Sequence, residues 1–359
     1  LRTTYQLSLD YTDFQFFMRR HTAFFLATVA LGLCVLASAA MSVQAQPRPQ
    51  QKPQTQTQPT DPQDQGTTVR IPIRRVRLPI TVLDKKGQFV SGLTVNDFQI
   101  LEDKKPQQIE TFSDESESFP VYVGVLMDTS PSTAGKLKFE QESAKNFIYT
   151  VTRLRKDKAA FMTFDHEITL RQDFTDKLDL LDRAVDGVKK AGTQTALYDA
   201  IWQFCDEKMR TAPGRRVIVV ITDGEDTYSR ARLADAIDIA QRTETTIFAI
   251  STKAGFSGTV PGVEAGQVSD GGDRNLEKLC AETGGSAFFT GDVLALERSF
   301  TKISKELRSQ YIVTYKPSND SYDGSFRRIE VKLASGRGGL KVRTRHGYTA
   351  IGDSVTAAQ

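Results

Sequence analysis

Cysteine and histidine are scarce in this sequence, with three of each in 359 residues. Cys34, Cys205 and Cys280 are too few for a disulfide framework, and Cys205 and Cys280 fall on helical patterns, where they read as small buried side chains. His21, His166 and His346 are scattered, and no Cys/His spacing of the zinc type occurs, which excludes a transition-metal site of that kind. A dominant charge is also missing: 47 Lys and Arg face 44 Asp and Glu, a net charge of +3. No basic block interleaved with aromatics is present, so nucleic acid is not an expected partner. Arg70, Arg74, Arg75 and Arg77 alternate with apolar residues as the solvated face of a strand would. Gly-x-Ser-x-Gly is absent, which argues against a serine hydrolase of that type. The glycines of residues 253–273 carry neither a Lys-Ser/Thr ending nor a Gly-x-Gly-x-x-Gly before a helix, which argues against a phosphate cradle. That stretch reads as a loop, either bordering a site or simply solvated.

Long apolar runs are lacking too, except near the amino terminus. Met18-Arg-Arg-His21 is a short cationic start, residues 22–41 are almost wholly apolar, and Val43-Gln-Ala45 offers small residues for cleavage. Residues 18–45 therefore read as an export signal, with 1–17 as upstream read-through. The alternative is an uncleaved membrane anchor through residues 22–41, a run just long enough to span a bilayer. Residues 46–67 are a Pro/Gln/Thr linker that cannot bury apolar surface and is expected to be disordered.

From residue 69 the apolar residues recur at period two. Strands are expected over 75–83, 88–90, 97–102 and 108–112, with turns at Asp84-Lys-Lys-Gly87 and Asp103-Lys-Lys-Pro106. Residues 120–309 then alternate strands (121–127, 158–164, 167–172, 216–222, 245–251, 287–290) with helices (134–153, 177–188, 197–209, 233–242, 275–282, 293–308). Such alternation means a doubly wound, mostly parallel α/β sheet. Period two returns over 310–315, 326–333 and 340–345. Each β flank alone would leave a face and edges uncovered, so 69–116 and 310–349 are expected to share one small all-β sandwich into which the α/β domain is inserted.

The most informative feature lies where the first buried strand ends. Asp128-Thr-Ser130-Pro-Ser132 places one carboxylate and two hydroxyls at i, i+2 and i+4 in the loop beyond that strand. Ligand sites of open α/β sheets lie outside the carboxyl ends of strands. Three hard oxygens suit Mg²⁺, with Mn²⁺ or Ca²⁺ as alternatives. The other reading is an Asp/Ser/Pro turn that caps the next helix. Two further segments bear on the choice. Asp223 follows the apolar run of residues 217–221, and Ala191-Gly-Thr193-Gln-Thr195 is a hydroxyl-bearing loop before the helix at Leu197. Loops at the carboxyl ends of adjacent strands converge, so these segments can meet. Thr195 reads as a helix cap, and Glu225 and Asp226 as a solvated acidic rim.

With these residues the sequence resembles the von Willebrand factor type A domain over residues 119–308. The family's metal-ion-dependent adhesion site combines Asp-x-Ser-x-Ser, a Thr in a Gly-Gly-Thr-x-Thr-like loop, and an Asp after a central apolar strand. The resemblance assigns those roles to Asp128, Ser130, Ser132, Thr193 and Asp223. It implies a divalent cation whose open position accepts an Asp or Glu carboxylate of a partner protein, in a non-enzymatic adhesion or assembly module. Thr133, where many members carry a bulky apolar residue, and Ala191-Gly192 in place of Gly-Gly depart from the pattern without removing a donor. The signal, the linker, Asp97-Phe-x-Ile-x-Glu-Asp103, Tyr311-x-Val-x-Tyr315 and Gly347-Tyr348 together resemble the exported VWFA-related acidobacterial domain proteins, which implies a periplasmic, envelope or secreted location. The same residues admit two other functions: a scaffold whose A domain no longer uses metal, and a hydrolase with Asp128 as nucleophile, which would lack a carboxylic acid where Ser130 stands.

Overall fold

A six-stranded sheet forms the centre of the molecule, in the order β10-β9-β8-β5-β6-β7. Its strands are β5 (Val121–Asp128), β6 (Lys158–Phe164), β7 (Ile168–Thr175), β8 (Arg215–Thr222), β9 (Thr245–Ser251) and β10 (Ala287–Phe289). All neighbouring pairs are parallel except β6–β7. The structure, a computed structural model, describes residues 75–114, 119–132, 137–189, 192–252, 271–289, 293–334 and 339–351. The expected signal and possible anchor, the linker, Thr133, Ala191 and residues 253–270 of the glycine-rich stretch lie outside them. Among the described residues no helix is long and apolar enough to cross a membrane.

Helices cover both faces of this sheet, as the continuous apolar strands require. They are α1 (Leu137–Val151), α2 (Leu178–Asp186), α3 (Leu197–Phe204, continued by a π turn over Cys205–Met209), α4 (Leu233–Arg242), α5 (Gly271–Thr283) and α6 (Val293–Ser309). Side chains alternate between the faces. Val123, Val125 and Met127 pack with Phe147 of α1 and Phe300 of α6. Leu126, Ile218 and Val220 pack with Ile201 and Phe204 of α3. Cys205 and Cys280 are buried free thiols in the second cluster, and burial pushes the Cys205 thiol up to about 12. From β5 the chain runs outward one way through β6 and β7. It then returns to β8 and runs the other way through β9 and β10. The order therefore reverses between β5 and β8, the position at which open α/β sheets place ligand sites beyond the carboxyl ends of their strands.

The two β flanks complete each other. β1 (Val76–Leu83) and β4 (Ile109–Ser113) join β11 (Tyr311–Tyr315) and β13 (Lys341–Arg343) in the order β13-β1-β11-β4. β2 (Phe98–Glu102) and β3 (Lys105–Gln107) join β12 (Phe326–Leu333) and β14 (Gly347–Thr349) in the order β14-β12-β2-β3. Each sheet thus draws strands from both sides of the inserted α/β segment, and Leu78, Ile80, Ile100, Val313, Tyr315, Ile329 and Tyr348 form their common core. Three distant segments meet inside it. Buried Glu102 accepts hydrogen bonds from Tyr315 Oη at 2.6 Å and Tyr348 Oη at 2.8 Å. Burial and the adjacent carboxylate raise the Tyr315 phenol far above its ordinary value.

Some boundaries differ from the sequence reading. Residues 88–90 make only an isolated bridge, Leu83 to Phe89, because the Asp84 side chain closes the turn tightly by accepting from Lys86 N and Gln88 N, each at 2.8 Å. The turn expected over Asp103 to Pro106 is confined to Asp103 and Lys104, both at positive φ, and Lys105–Gln107 is an edge strand, where Pro106 is tolerated. β14 went unread. β7 runs three residues beyond the expected 172. Residues 271–274 are already helical, ahead of the expected 275, and Gly272 packs on the backbone of Gly224: a Cβ there would lie 2.8 Å from Gly224 O.

Candidate metal centre

The loops after β5 and β8 and the loop before α3 carry the residues that the sequence singled out. Asp128 ends β5, and Asp223 follows Thr222, the last residue of β8. Met127 pairs with Ile221, so Asp128 stands beside Thr222. Asp128 is fully buried, and its two oxygens are engaged: Oδ1 accepts from Ser130 N at 2.8 Å and Oδ2 from Thr222 Oγ1 at 2.6 Å. Burial pushes the Asp128 carboxyl up to about 6, against the pull of these hydrogen bonds, and repulsion from Asp223 adds to the rise. The two carboxylates therefore share one electrostatic environment. Asp223 is nearly buried, and its Oδ1 accepts from Glu225 N at 3.2 Å. The Ser130 and Ser132 hydroxyls lie 2.9 Å apart, the first buried and the second exposed.

The third loop is pinned to both of the others. Gly192 N donates to Thr129 O at 2.7 Å, one residue beyond Asp128. Thr195 O accepts from Thr227 N and Tyr228 N, each at 2.9 Å, and Thr195 N donates to Thr227 Oγ1 at 3.0 Å. Thr193 lies exposed between these ties. The approach at Gly192 needs a residue without a side chain, since a Cβ would lie 2.1 Å from Asp165 Cγ. Asp165 was missed by the sequence reading. Its Oδ2 accepts from Thr129 Oγ1 at 2.8 Å, and its carbonyl accepts from Ala196 N at 2.9 Å, so it braces the same junction from below.

Two expectations change. Thr195 does not cap α3: the cap position is Ala196, with no side-chain bond of its own. Asp226 takes that task from a distant segment, accepting from Leu197 N at 2.9 Å and Tyr198 N at 3.3 Å. Asp226 is thus half-buried and structural rather than part of a solvated rim, because a carboxylate at a helix amino terminus satisfies its orphan amides. Glu225 is exposed, as expected. Thr222 was read only as a strand residue, yet it holds the orientation of Asp128.

Among the described residues no group of three or more His, Cys, Asp or Glu is gathered as for a metal ion. The set carried by these loops is of another kind, two carboxylates with neighbouring hydroxyls. Its chemistry fits a hard divalent cation, because all the donors are oxygen and the buried acid pair carries charge that a cation would offset.

No curated protein sequence matches the chain. Among solved structures, the conserved hypothetical protein BatB from Bacteroides thetaiotaomicron is similar at 17% identity and a TM-score of 0.41, over 53% of this chain and 100% of that one. An aerotolerance-related membrane protein from Bacteroides fragilis is similar at 16% identity and a TM-score of 0.41, over 52% of this chain and 98% of that one. The PilB minor pilin from Streptococcus sanguinis is similar at 12% identity and a TM-score of 0.39, over 53% of this chain and 62% of that one. The family model for the von Willebrand factor type A domain matches residues 123–302, half of the 359-residue sequence. That span contains β5 to β10 except for the first residues of β5, together with the whole candidate centre, and the chain belongs to the von Willebrand factor type A domain family.

Proposed function

We propose that this protein is a non-enzymatic, divalent-metal-dependent protein-binding module that works outside the cytoplasm. The observation that carries the reading is the junction of three loops: Asp128 beside Thr222, Gly192 on Thr129, and Thr195 on Thr227 and Tyr228. These contacts tie together the segments that bear Asp128, Ser130, Ser132, Thr193 and Asp223. Asp128 and Asp223 offset cation charge, directly or through water, and Ser130, Ser132 and Thr193 offer neutral oxygens. When bound, Mg²⁺ (or Mn²⁺ or Ca²⁺) supplies Lewis acidity for one further oxygen, from an Asp or Glu carboxylate of the partner. A hydrolase with Asp128 as nucleophile is disfavoured because a serine, not a carboxylic acid, stands at position 130. The family match points to no enzyme class. Export rests on the sequence pattern of residues 18–45.

Thermal unfolding with and without Mg²⁺ tests this reading. A ligand at about 100 times its Kd adds about 3 kcal/mol, a rise on the order of 5 °C for a protein of this size. Wild-type protein should show that rise in Mg²⁺ or Mn²⁺ and lose it in EDTA, and Asp128→Ala and Asp223→Ala should not respond. Partners retained from envelope extract in Mg²⁺ should be released by EDTA. An unchanged melting temperature in wild-type protein sinks the metal reading and leaves the scaffold.

A further inference from the structure

The amino ends of the central strands carry a second constellation that the candidate metal centre does not use. β8 opens on Arg215, which is 4% exposed. Its guanidinium donates to the carbonyl of Leu307 and to Gln310 Oε1, while its Nε has no hydrogen-bond partner among the described residues. Arg77 of β1 approaches the same place, donating to Gly214 O at 3.2 Å and lying 3.4 Å from the Glu244 carboxylate. A cavity of about 320 Å³ is bounded by Arg77, Arg215, Thr111, Ser113, Thr314 and Phe119, among others. The hydroxyls share a face by construction. Thr314 pairs with Arg77 on one side and Thr111 on the other, and Ser113 lies two residues along β4 from Thr111.

Among the described residues, the acids around this cavity are already engaged by other arginines or shared. Glu244 is shared between Arg77 and Arg345. Asp157 is committed to Arg153, and Glu306 to Arg343. Burial, with repulsion from Arg153 and Arg77, pushes Arg215 down to about 10. A buried guanidinium with an unclaimed N–H is costly unless an acceptor reaches it. Guanidinium forks match the oxygen geometry of carboxylates and phosphates. The volume is at the small end of ligand cavities, which begin at about 300 Å³.

We propose that this cavity binds a small oxyanion, a carboxylate or phosphate group, held between Arg77 and Arg215 and by the hydroxyls of Thr111, Ser113 and Thr314. The site is separate from the candidate metal centre and does not depend on it.

The test uses the full chain in EDTA, titrated calorimetrically and by thermal unfolding with inorganic phosphate in one arm and succinate in the other. KCl of matched ionic strength is the reference. At a ligand excess of about 50 Kd the melting temperature should rise by about 3–5 °C. Phosphate also strengthens burial generally, so the difference between proteins is the readout. Thr314→Val preserves shape and removes one hydroxyl, and should weaken binding about 5-fold or more. Arg77→Gln should weaken it about 10-fold or more. Asp128→Ala should bind as wild type does, whether or not it binds metal. A response to phosphate, to succinate or to both supports the proposal and identifies the group. No heat and no shift beyond KCl, or equal shifts in wild type, Thr314→Val and Arg77→Gln, overturns it.

Discussion

The two ends of the central sheet bury charges of opposite sign. Beyond the carboxyl ends of β5 and β8 lie Asp128 and Asp223, and at the amino end of β8 lies Arg215, with Arg77 beside it. Burial acts on both by disfavouring the charged form, yet with unequal results. It lifts the acid to about 6, within reach of neutral pH, and lowers the arginine only to about 10, where it stays protonated. The acid end is therefore the one poised to change charge near neutrality, and the arginine end is a fixed cation. Hydrogen bonding differs as well. Asp128 is oriented by its own loop and by the adjacent strand, whereas Arg215 reaches Leu307 and Gln310 at the end of α6 and just beyond it.

Asp128→Asn should sharpen this contrast most. Between an ordinary value of 3.8 and a folded value of about 6, the native state keeps a proton that the unfolded chain has released. Stability then falls as pH rises through that window, and the full penalty, about 3 kcal/mol, is present above it. In EDTA at pH 8 the Asn variant should be more stable than wild type by up to about 3 kcal/mol in urea, with the advantage gone by about pH 4. A variant less stable than wild type at pH 8 would contradict it. Arg215→Met should act with less force and without pH dependence. It strips donors from the Leu307 carbonyl and Gln310 Oε1, at a loss of about 2 kcal/mol that is the same in Mg²⁺ and EDTA and flat between about pH 5 and 9. A loss that varied with Mg²⁺ would mean that the two ends are coupled. The smallest effect is expected for Thr222→Val, about 1 kcal/mol at pH 8 in EDTA. Carboxyl NMR should place the Asp128 titration higher than in wild type, because the hydrogen bond that favours its charged form is gone. An unmoved titration would show that Thr222 does not hold the carboxylate.

What was readable in the sequence follows the range of each interaction. Apolar runs gave every strand of the central sheet, and an acid directly after such a run, as at Asp128 and Asp223, is a local pattern. The pairing of the β flanks was inferable because neither half could bury its own alternating face. Asp226 as the cap of α3 was not inferable, since it reaches Leu197 from 29 residues away and nothing near either residue signals the other. Asp165 and Thr222 were hidden for a similar reason: each acts on a neighbouring strand or loop, and each resembles an ordinary strand-end residue in the one-dimensional pattern. Edge strands as short as β3 and β14 carry too few residues for a period to register.

The meeting of Glu102, Tyr315 and Tyr348 sets an order of assembly. Val76 pairs with Tyr315, so β1 waits for a partner that leaves the ribosome about 240 residues later. At 5–20 residues per second that delay is on the order of 10–50 s. The α/β segment, whose six strands pair only with one another, can close in that interval, while β1 and β2 keep unpaired edges until β11 and β12 emerge. Chain synthesis thus imposes a queue in which the inserted domain folds first and the sandwich that frames it is sealed last.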